Sequence, residues 1–306
     1  MKRFFLFLAL VPLAILLIPV LTFLLFSQPA AETVSTSSYL PPTEITVLET
    51  ETGKVHTLQL EDCVNTLLTQ ELLSSAPLEA AKAQAVATRS YLLSLIAKNT
   101  HTESMLCNDG SHCVAFPLSS PTTIHPAVQE TSGEFLSYQG LPAKACYFHV
   151  SAGYTESSAD VWGVEIPYLV SVPSKSDAQS AAYQSRVFYP LDAFYTVLKG
   201  ARHNIDTNQP NIGKVNATKH GHVKEIQLLG QAFTGQEVQS LFHLKSTNFT
   251  TEVRDNQIVF TVKGDGHGVG MSKYGAKIMA ENGEDYTSIL SHYYPKTDLQ
   301  TTKRES

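Results

Sequence analysis

The sequence predicts a mixed α/β domain, held outside the cytoplasm by an N-terminal transmembrane helix. Three observations predict it. Residues 4–26 are a 23-residue apolar run without a charge, and about 20 apolar residues span a bilayer as a helix. Residues 76–98 contain no glycine, hold one proline in the first turn and are dominated by Ala and Leu, which reads as one long helix. From residue 126 onwards, short runs rich in β-branched and aromatic residues alternate with turn residues and brief helical patterns, the mark of strands mixed with helices.

The elements follow in order. Lys2 and Arg3 precede the apolar run; cytoplasmic flanks are the positive ones, so residues 1–3 form a cytoplasmic stub and everything after the span lies outside. A secretory signal has a shorter apolar core and a small-x-small cleavage site. Ser27-Gln28-Pro29-Ala30-Ala31 matches that poorly, so an uncleaved anchor is expected over 4–26. Residues 27–43 are rich in Ser, Thr and Pro and suit a linker. Residues 45–60 read as a hairpin about Thr52-Gly53-Lys54, and Val64, Leu67 and Leu68 recur at helical spacing in 61–73. The long helix is expected over 76–98, with Ser74 and Ser75 as cap candidates, Pro77 in the first turn and Glu79 just after. Residues 99–125 are irregular. Residues 134–150 are expected as a hairpin turning at Gly140, 189–199 and 234–242 as short helices, and 222–230 and 247–263 as strands, the latter turning at Asp255-Asn256. Helices are expected over 272–282 and 286–294. The domain therefore spans 44–300, followed by a tail at 301–306.

The formal net charge is −6, and no basic run occurs beyond Met1-Lys2-Arg3, which argues against nucleic-acid binding and leaves a neutral polymer such as a glycan open. Four features carry chemistry. Glu71 sits before Leu72-Leu73 and the polar-rich helix; an acid beside apolar neighbours is a candidate for proton transfer, or an ordinary helix-end glutamate. Glu79, in a first helical turn, suits the amide ends of that helix. His101, Cys107, His112 and Cys113 lie within thirteen residues. Cys and His are the tetrahedral zinc set, while a Cys107–Cys113 disulfide is the alternative outside the cytoplasm; Cys63 and Cys146 are left to pair or stay buried. Finally, Ser151-Ala152-Gly153-Tyr154-Thr155-Glu156 and the glycine-rich Gly264–Ser272 stretch can bring backbone and hydroxyls close to a ligand. Glu156 is a second acid or a structural hydrogen-bond acceptor; His267 is a groove residue or a core histidine. The glycine-rich stretch lacks a phosphate-binding pattern.

The run QELLSSAPLEAAKAQAVATRSY resembles the signature of the stage II sporulation protein D family, and GDGHGVGMSKYGA (264–276) is similar to that family's C-terminal signature. PAKACYFHVSAGYTESSADVW (142–162) and PYLVSVPS (167–174) match between them, so the resemblance runs from about residue 45 to 299. It implies a mixed α/β domain with an open substrate groove. It also implies a lytic transglycosylase that cuts the MurNAc–GlcNAc bonds of peptide-stripped peptidoglycan and leaves a 1,6-anhydro ring, in septal wall degradation and engulfment during sporulation. In it Glu71 is the catalyst; Lys82, Gln84, Arg89, Tyr91, Ser151, Gly153, Thr155, His267 and Tyr274 are assigned to the groove. His101, Cys107, His112 and Cys113 become ligands of a structural zinc. The implied partners are a sporulation amidase (stage II sporulation protein P) and a membrane protein (stage II sporulation protein M), at the mother-cell septal membrane. A non-catalytic activator of a cell-wall amidase is the alternative. The chain departs from the pattern at Leu72-Leu73, where the family has Met-Pro, at Ala152 for Gly, and at Lys273 for Gln.

Overall fold

The long alanine-rich helix is the axis of the domain. The computed structural model describes residues 39–302 apart from 116, 117, 119, 120, 122, 203, 204, 209 and 210. The expected span at 4–26 and the linker up to residue 38 lie outside the described residues, and no described helix is long and apolar enough to cross a membrane.

The N-terminal elements come in the expected order. Strands β1 (Glu44–Leu48) and β2 (Val55–Gln59) pair antiparallel around Gly53. Helix α1 (Leu60–Glu71) follows at once. Helix α2 (Leu78–Lys98) starts two residues later than expected: Pro77 is its N-cap, neither Ser74 nor Ser75 caps it, and Asn99 ends it in the left-handed conformation. An extended Pro pre-organises a helix start without a side-chain acceptor.

α2 is buried on two sides. Ala81, Ala85, Leu92 and Leu93 pack on α1, β1 and the short strand β3 (Leu106–Cys107). Ala83, Val86 and Ala87 pack into a second core with Met271, Ile289, Tyr293 and Tyr294. A helix covered on both sides needs small residues so that neighbours approach closely, hence the alanines. The second core belongs to α7 (Lys273–Glu281) and α8 (Tyr286–Tyr293), both where the spacing predicts them.

The expected 134–150 hairpin is shorter in the structure. β4 (Glu134–Tyr138) and β5 (Leu141–Pro142) pair about Gly140. The chain then leaves the sheet, and β6 (Tyr147–Phe148) pairs in parallel with β13 (Met271–Ser272) instead. This pairing passes under Gly270, whose φ is +83° and where an added Cβ would strike the Cys146 carbonyl, so only glycine fits. The remaining strand of this sheet, β14 (Asp298–Thr301), pairs with β4 and takes in the first residue of the expected tail.

Helices α3 (Pro126–Glu130) and α4 (Ser158–Trp162) carry local caps from His125 and Ser157. Residues 184–263 build a third core around Phe194, Phe233, Phe242 and Phe260. Here β7 (Gln184–Pro190), β11 (Phe249–Arg254) and β12 (Gln257–Lys263) form one sheet, with α5 (Leu191–Ala201) after β7. β8 (Val215–Ala217), β9 (Val223–Leu228) and β10 (Gln231–Thr234) form another, followed by α6 (Gly235–Leu241). Thr234 and Glu237 make a reciprocal capping box on α6.

Candidate active site and metal centre

Glu71 is the last residue of α1, where the helix breaks because Leu72 turns extended. Its carbonyl is one of the orphan acceptors of a helix end. Lys273, the first residue of α7, donates to that carbonyl at 2.9 Å and stands 3.5 Å from the Glu71 Oε2. A cation at a helix C-terminus is stabilising. The Glu71 side chain keeps 44 % of its surface exposed against 13 % for Lys273, so the carboxylate faces solvent while the lysine is tucked behind it. Leu72 packs on the first core, so the apolar flank survives the departure from Met-Pro.

Glu71 lines a cavity of about 430 Å³. Tyr91 and His267 line it too, and so do Lys144, Tyr147 and Trp162, which the sequence did not single out. Among the described lining residues Glu71 is the one carboxylate. Lys144 Nζ sits 4.6 Å from the Trp162 ring centre, a cation–π arrangement. Thr88 donates to the Tyr147 hydroxyl at 3.1 Å; burial, and then the charge of Glu71, hold that phenol well above the ordinary tyrosine range. Burial also pushes Tyr91 up to about 12. His267 is packed between Phe148 and Trp162, with centroids 5.5 and 5.7 Å away. Burial lowers its pKa from 6.5 to about 4, with a backbone hydrogen bond to Tyr147 opposing the fall and the Lys144 charge adding to it, while one edge of the ring is open to solvent. Its Nδ1 accepts from the Val269 amide, which puts the proton of the neutral ring on Nε2.

The other residues assigned to the groove lie elsewhere. Arg89 is 1 % exposed; it grips Glu61 with Nε and Nη2 at 2.8 and 2.6 Å and donates Nη1 to the Glu134 carbonyl. Lys82 bonds Glu79 and Glu130 at 2.8 and 2.7 Å, and those carboxylates hold its ammonium above the ordinary lysine range. Gln84 is buried beside Tyr147, with its amide nitrogen lacking hydrogen-bond geometry to any described group. Glu79 also accepts from the Tyr286 amide, which ties α2 to the start of α8. Ser151 and Thr155 are buried and bonded to backbone, Ser151 to Ser174 and Thr155 to Val170 and Val172. Gly153 has φ +102°, and Tyr274 packs with Lys277 on the outer face of α7. The 151–156 loop is thus a support. Its anchor is the fully buried Asp177, whose Oδ2 accepts from the Ser151 amide and the Ser272 hydroxyl and so joins the two loops.

Glu156 is 1 % exposed, accepts from Thr218 at 2.8 Å and lies 3.9 Å from His222 Nε2. It does not line the cavity that holds Glu71.

The metal cluster forms from one loop. β3 pairs in parallel with β1, placing Cys107 opposite Leu48. Asp109 then turns the chain: its carboxylate accepts from Ser111 and its carbonyl from the Cys113 amide. His101 Nε2 lies 3.2 Å from Cys113 Sγ, and His112 Nδ1 lies 3.5 Å from both sulfurs. All four ligand atoms are within 4.8 Å of one another. Metal–sulfur and metal–nitrogen bonds of about 2.3 and 2.0 Å place tetrahedral ligand atoms roughly 3.3–3.8 Å apart, so the set fits a metal ion. Cys63, Cys107, Cys113 and Cys146 are all free thiols. Cys113 also lines the Glu71 cavity, so whatever fixes the cluster fixes a wall of the cleft.

A family model described as stage II sporulation protein, SpoIID, matches residues 48–138, a stretch that holds Glu71, α2 and all four cluster residues. The stage II sporulation protein D of Bacillus amyloliquefaciens is 31 % identical over 275 residues, covering 84 % of this chain and 79 % of that protein. The chain belongs to the stage II sporulation protein D family. The Bacillus subtilis (strain 168) family member is 30 % identical over 286 residues, 88 % of this chain and 81 % of that one. A protein named amidase enhancer from the same organism is 27 % identical over 76 % of this chain, which spans 39 % of its length. The family role is in sporulation, and the family's kinship reaches the protein named amidase enhancer.

Proposed function

We propose that this family member is a membrane-anchored lytic transglycosylase that cuts peptide-stripped peptidoglycan during septal wall degradation in sporulation, with Glu71 as its acid and base. The observation that carries this is the lone carboxylate of the cleft. Glycoside hydrolysis ordinarily takes two carboxyl groups flanking the bond, whereas the described cavity residues include Glu71 alone and Glu156 lies buried elsewhere. One acid suffices when the nucleophile belongs to the substrate. Glu71 gives its proton to the leaving glycosidic oxygen as the bond to C1 of the N-acetylmuramoyl unit breaks. The C6 hydroxyl of the same sugar then attacks C1, and its proton passes to the Glu71 carboxylate. The acid is regenerated, no water is consumed, and the product is a 1,6-anhydro ring. Tyr91, Tyr147 and Trp162 offer stacking faces for sugar rings, and the Lys144 ammonium offers a partner for the lactyl carboxylate. Zinc is the metal that best suits two thiolates and two imidazoles, in a closed structural site. The apolar run at 4–26 is the anchor, with the domain outside the cytoplasm. The sporulation amidase (stage II sporulation protein P) and its membrane companion (stage II sporulation protein M) are the proposed partners.

Mass spectrometry of products from peptide-stripped glycan tests the chemistry. The parent protein should release fragments lighter by one water than hydrolytic ones, and Glu71→Gln should release none. A fully active Glu71→Gln would overturn the assignment. The similarity to the amidase enhancer favours one further reading, an activator of a cell-wall amidase; under it, Glu71→Gln stimulates a purified sporulation amidase as well as the parent does.

A further inference from the structure

Four residues of the cluster loop, Gly110, Cys113, Val114 and Ala115, line the Glu71 cleft. The cluster is therefore approachable from one side. Cys113 stands at the cleft wall, 8 % exposed, whereas Cys107 lies behind it on β3, 3 % exposed. The two sulfurs share one imidazole, with His112 Nδ1 3.5 Å from each, and no two of the four ligand atoms are more than 4.8 Å apart. A disulfide bond is about 2.05 Å long, so closing one draws these sulfurs together by under about 3 Å. The turn at Asp109 holds the pair in place, its carbonyl accepting from the His112 and Cys113 amides at 3.1 and 2.7 Å. The loop is tight as well: a Cβ on Gly110 would lie 3.0 Å from that of Ala115. A movement of Cys113 therefore passes directly to its neighbours in the cleft wall. The other two thiols have a different setting. Cys63 packs in the first core and Cys146 in the second.

We propose that Cys107 and Cys113 are a peroxide-sensitive modification site: oxidation joins them as a disulfide, removes the two anionic ligands of the cluster and shifts the wall of the Glu71 cleft. Metal site and disulfide, the two readings left open by the spacing, become two states of one site. The Cys113 thiolate, on the cleft side, attacks a peroxide oxygen and breaks the O–O bond, giving a sulfenic acid and hydroxide. The Cys107 thiolate then displaces hydroxide from that sulfur and closes the S–S bond. The two sulfurs give up one electron each, the peroxide takes both, and the two hydroxides leave as water with protons from solvent. A disulfide offers no thiolate, so the two imidazoles that remain hold a metal ion far more weakly. The effect on strand cutting rests on the glycan reading of the cleft; the sulfur chemistry does not. Full-length protein loaded with zinc is treated with hydrogen peroxide. A chromogenic chelator reads the released metal, and alkylation with peptide mass mapping locates the bridge. About one zinc should leave for each Cys107–Cys113 disulfide formed, and dithiothreitol with added zinc should reverse both changes. Turnover of peptide-stripped glycan should fall about tenfold in the oxidised form and recover with them. A bridge from Cys113 to Cys146, which lines the same cleft, overturns the proposal. So does zinc release with both thiols carried on to sulfinic acid, or a chain that takes up no zinc. Disulfide formation with unchanged turnover overturns the link to the cleft wall. If the disulfide forms and zinc leaves as expected from a protein that cuts no glycan in either state, the glycan reading falls and the oxidation site stands.

Discussion

The buried pair Glu156 and His222 gives the fold two opposing pH dependences that mask one another. Burial pushes the Glu156 carboxyl up from 4.5 to about 7, with the Thr218 hydrogen bond and Lys224 pulling the other way and Asp160 adding to the rise. Burial, helped by His220 and His267, pulls His222 down from 6.5 to about 4. A shift of one unit corresponds to about 1.4 kcal/mol, so each group carries about 3 kcal/mol, with opposite signs. For Glu156 the folded state holds a proton that the unfolded chain has lost. Its contribution is therefore complete below pH 4.5 and is lost as pH rises to about 7. For His222 the unfolded chain binds the extra proton, so its contribution is complete above pH 6.5 and is lost as pH falls to about 4. Between about pH 4.5 and 6.5 the two slopes offset each other, and the parent protein should show little pH dependence from this pair. Glu156→Gln uncovers the histidine: stability climbs by about 3 kcal/mol from pH 4 to 6.5. His222→Asn uncovers the acid: stability drops by about 3 kcal/mol from pH 4.5 to 7. Urea denaturation at half-unit pH intervals measures both. Two variant profiles running parallel to the parent would refute the buried-pair account.

Chelation of the zinc proposed for the His101–Cys113 cluster should lower the melting temperature by roughly 8–16 °C, the equivalent of about 4 kcal/mol of binding linkage, with elemental analysis giving one zinc per chain beforehand. Arg89→Ala, which strands the Glu61 carboxylate and the Glu134 carbonyl, should cost about 3–5 kcal/mol in chemical denaturation; loss of activity at unchanged stability would instead return Arg89 to the substrate groove. Gly275→Ala drives a methyl into Tyr293, Ser174 and Asp177 and should destabilise by at least about 1–3 kcal/mol, read as a shifted urea midpoint. Lys273→Met frees the end of α1 and should lower kcat about tenfold, about 1.4 kcal/mol of lost positioning, with KM little changed; parent-like turnover would show that the lysine does not hold Glu71 in place.

The first half of the described chain was legible because its signals are local. Gly53 turns the hairpin, leucine spacing marks α1, and an alanine-rich stretch free of glycine and proline marks α2. The strand Gln184–Pro190 carries no such signal, since its sequence QSRVFYP groups polar residues ahead of apolar ones instead of alternating them. The site was harder. Glu71 looks like any helix-end acid until α7 delivers Lys273 to it, and that meeting depends on packing across the whole domain. Lys144, Tyr147 and Trp162 are brought to the cleft by a two-residue parallel pairing and a five-residue helix, neither long enough to leave a periodic pattern. Arg89, Gln84, Ser151 and Thr155 misled in the opposite way. Polar residues among small ones suggest a wet surface, but all four are buried: Arg89, Ser151 and Thr155 bond partners inside, and the Gln84 amide nitrogen has none among the described groups.

The Lys273 contact spans 202 positions of sequence, and β4, whose Glu134 carbonyl holds Arg89, is completed by the last described strand. Pairings so far apart in sequence form slowly and late. A chain emerging from the ribosome therefore presents Glu71 and α2 early, but finishes the cleft only when its final segment has arrived. A cleft built in this order stays incomplete throughout its own synthesis.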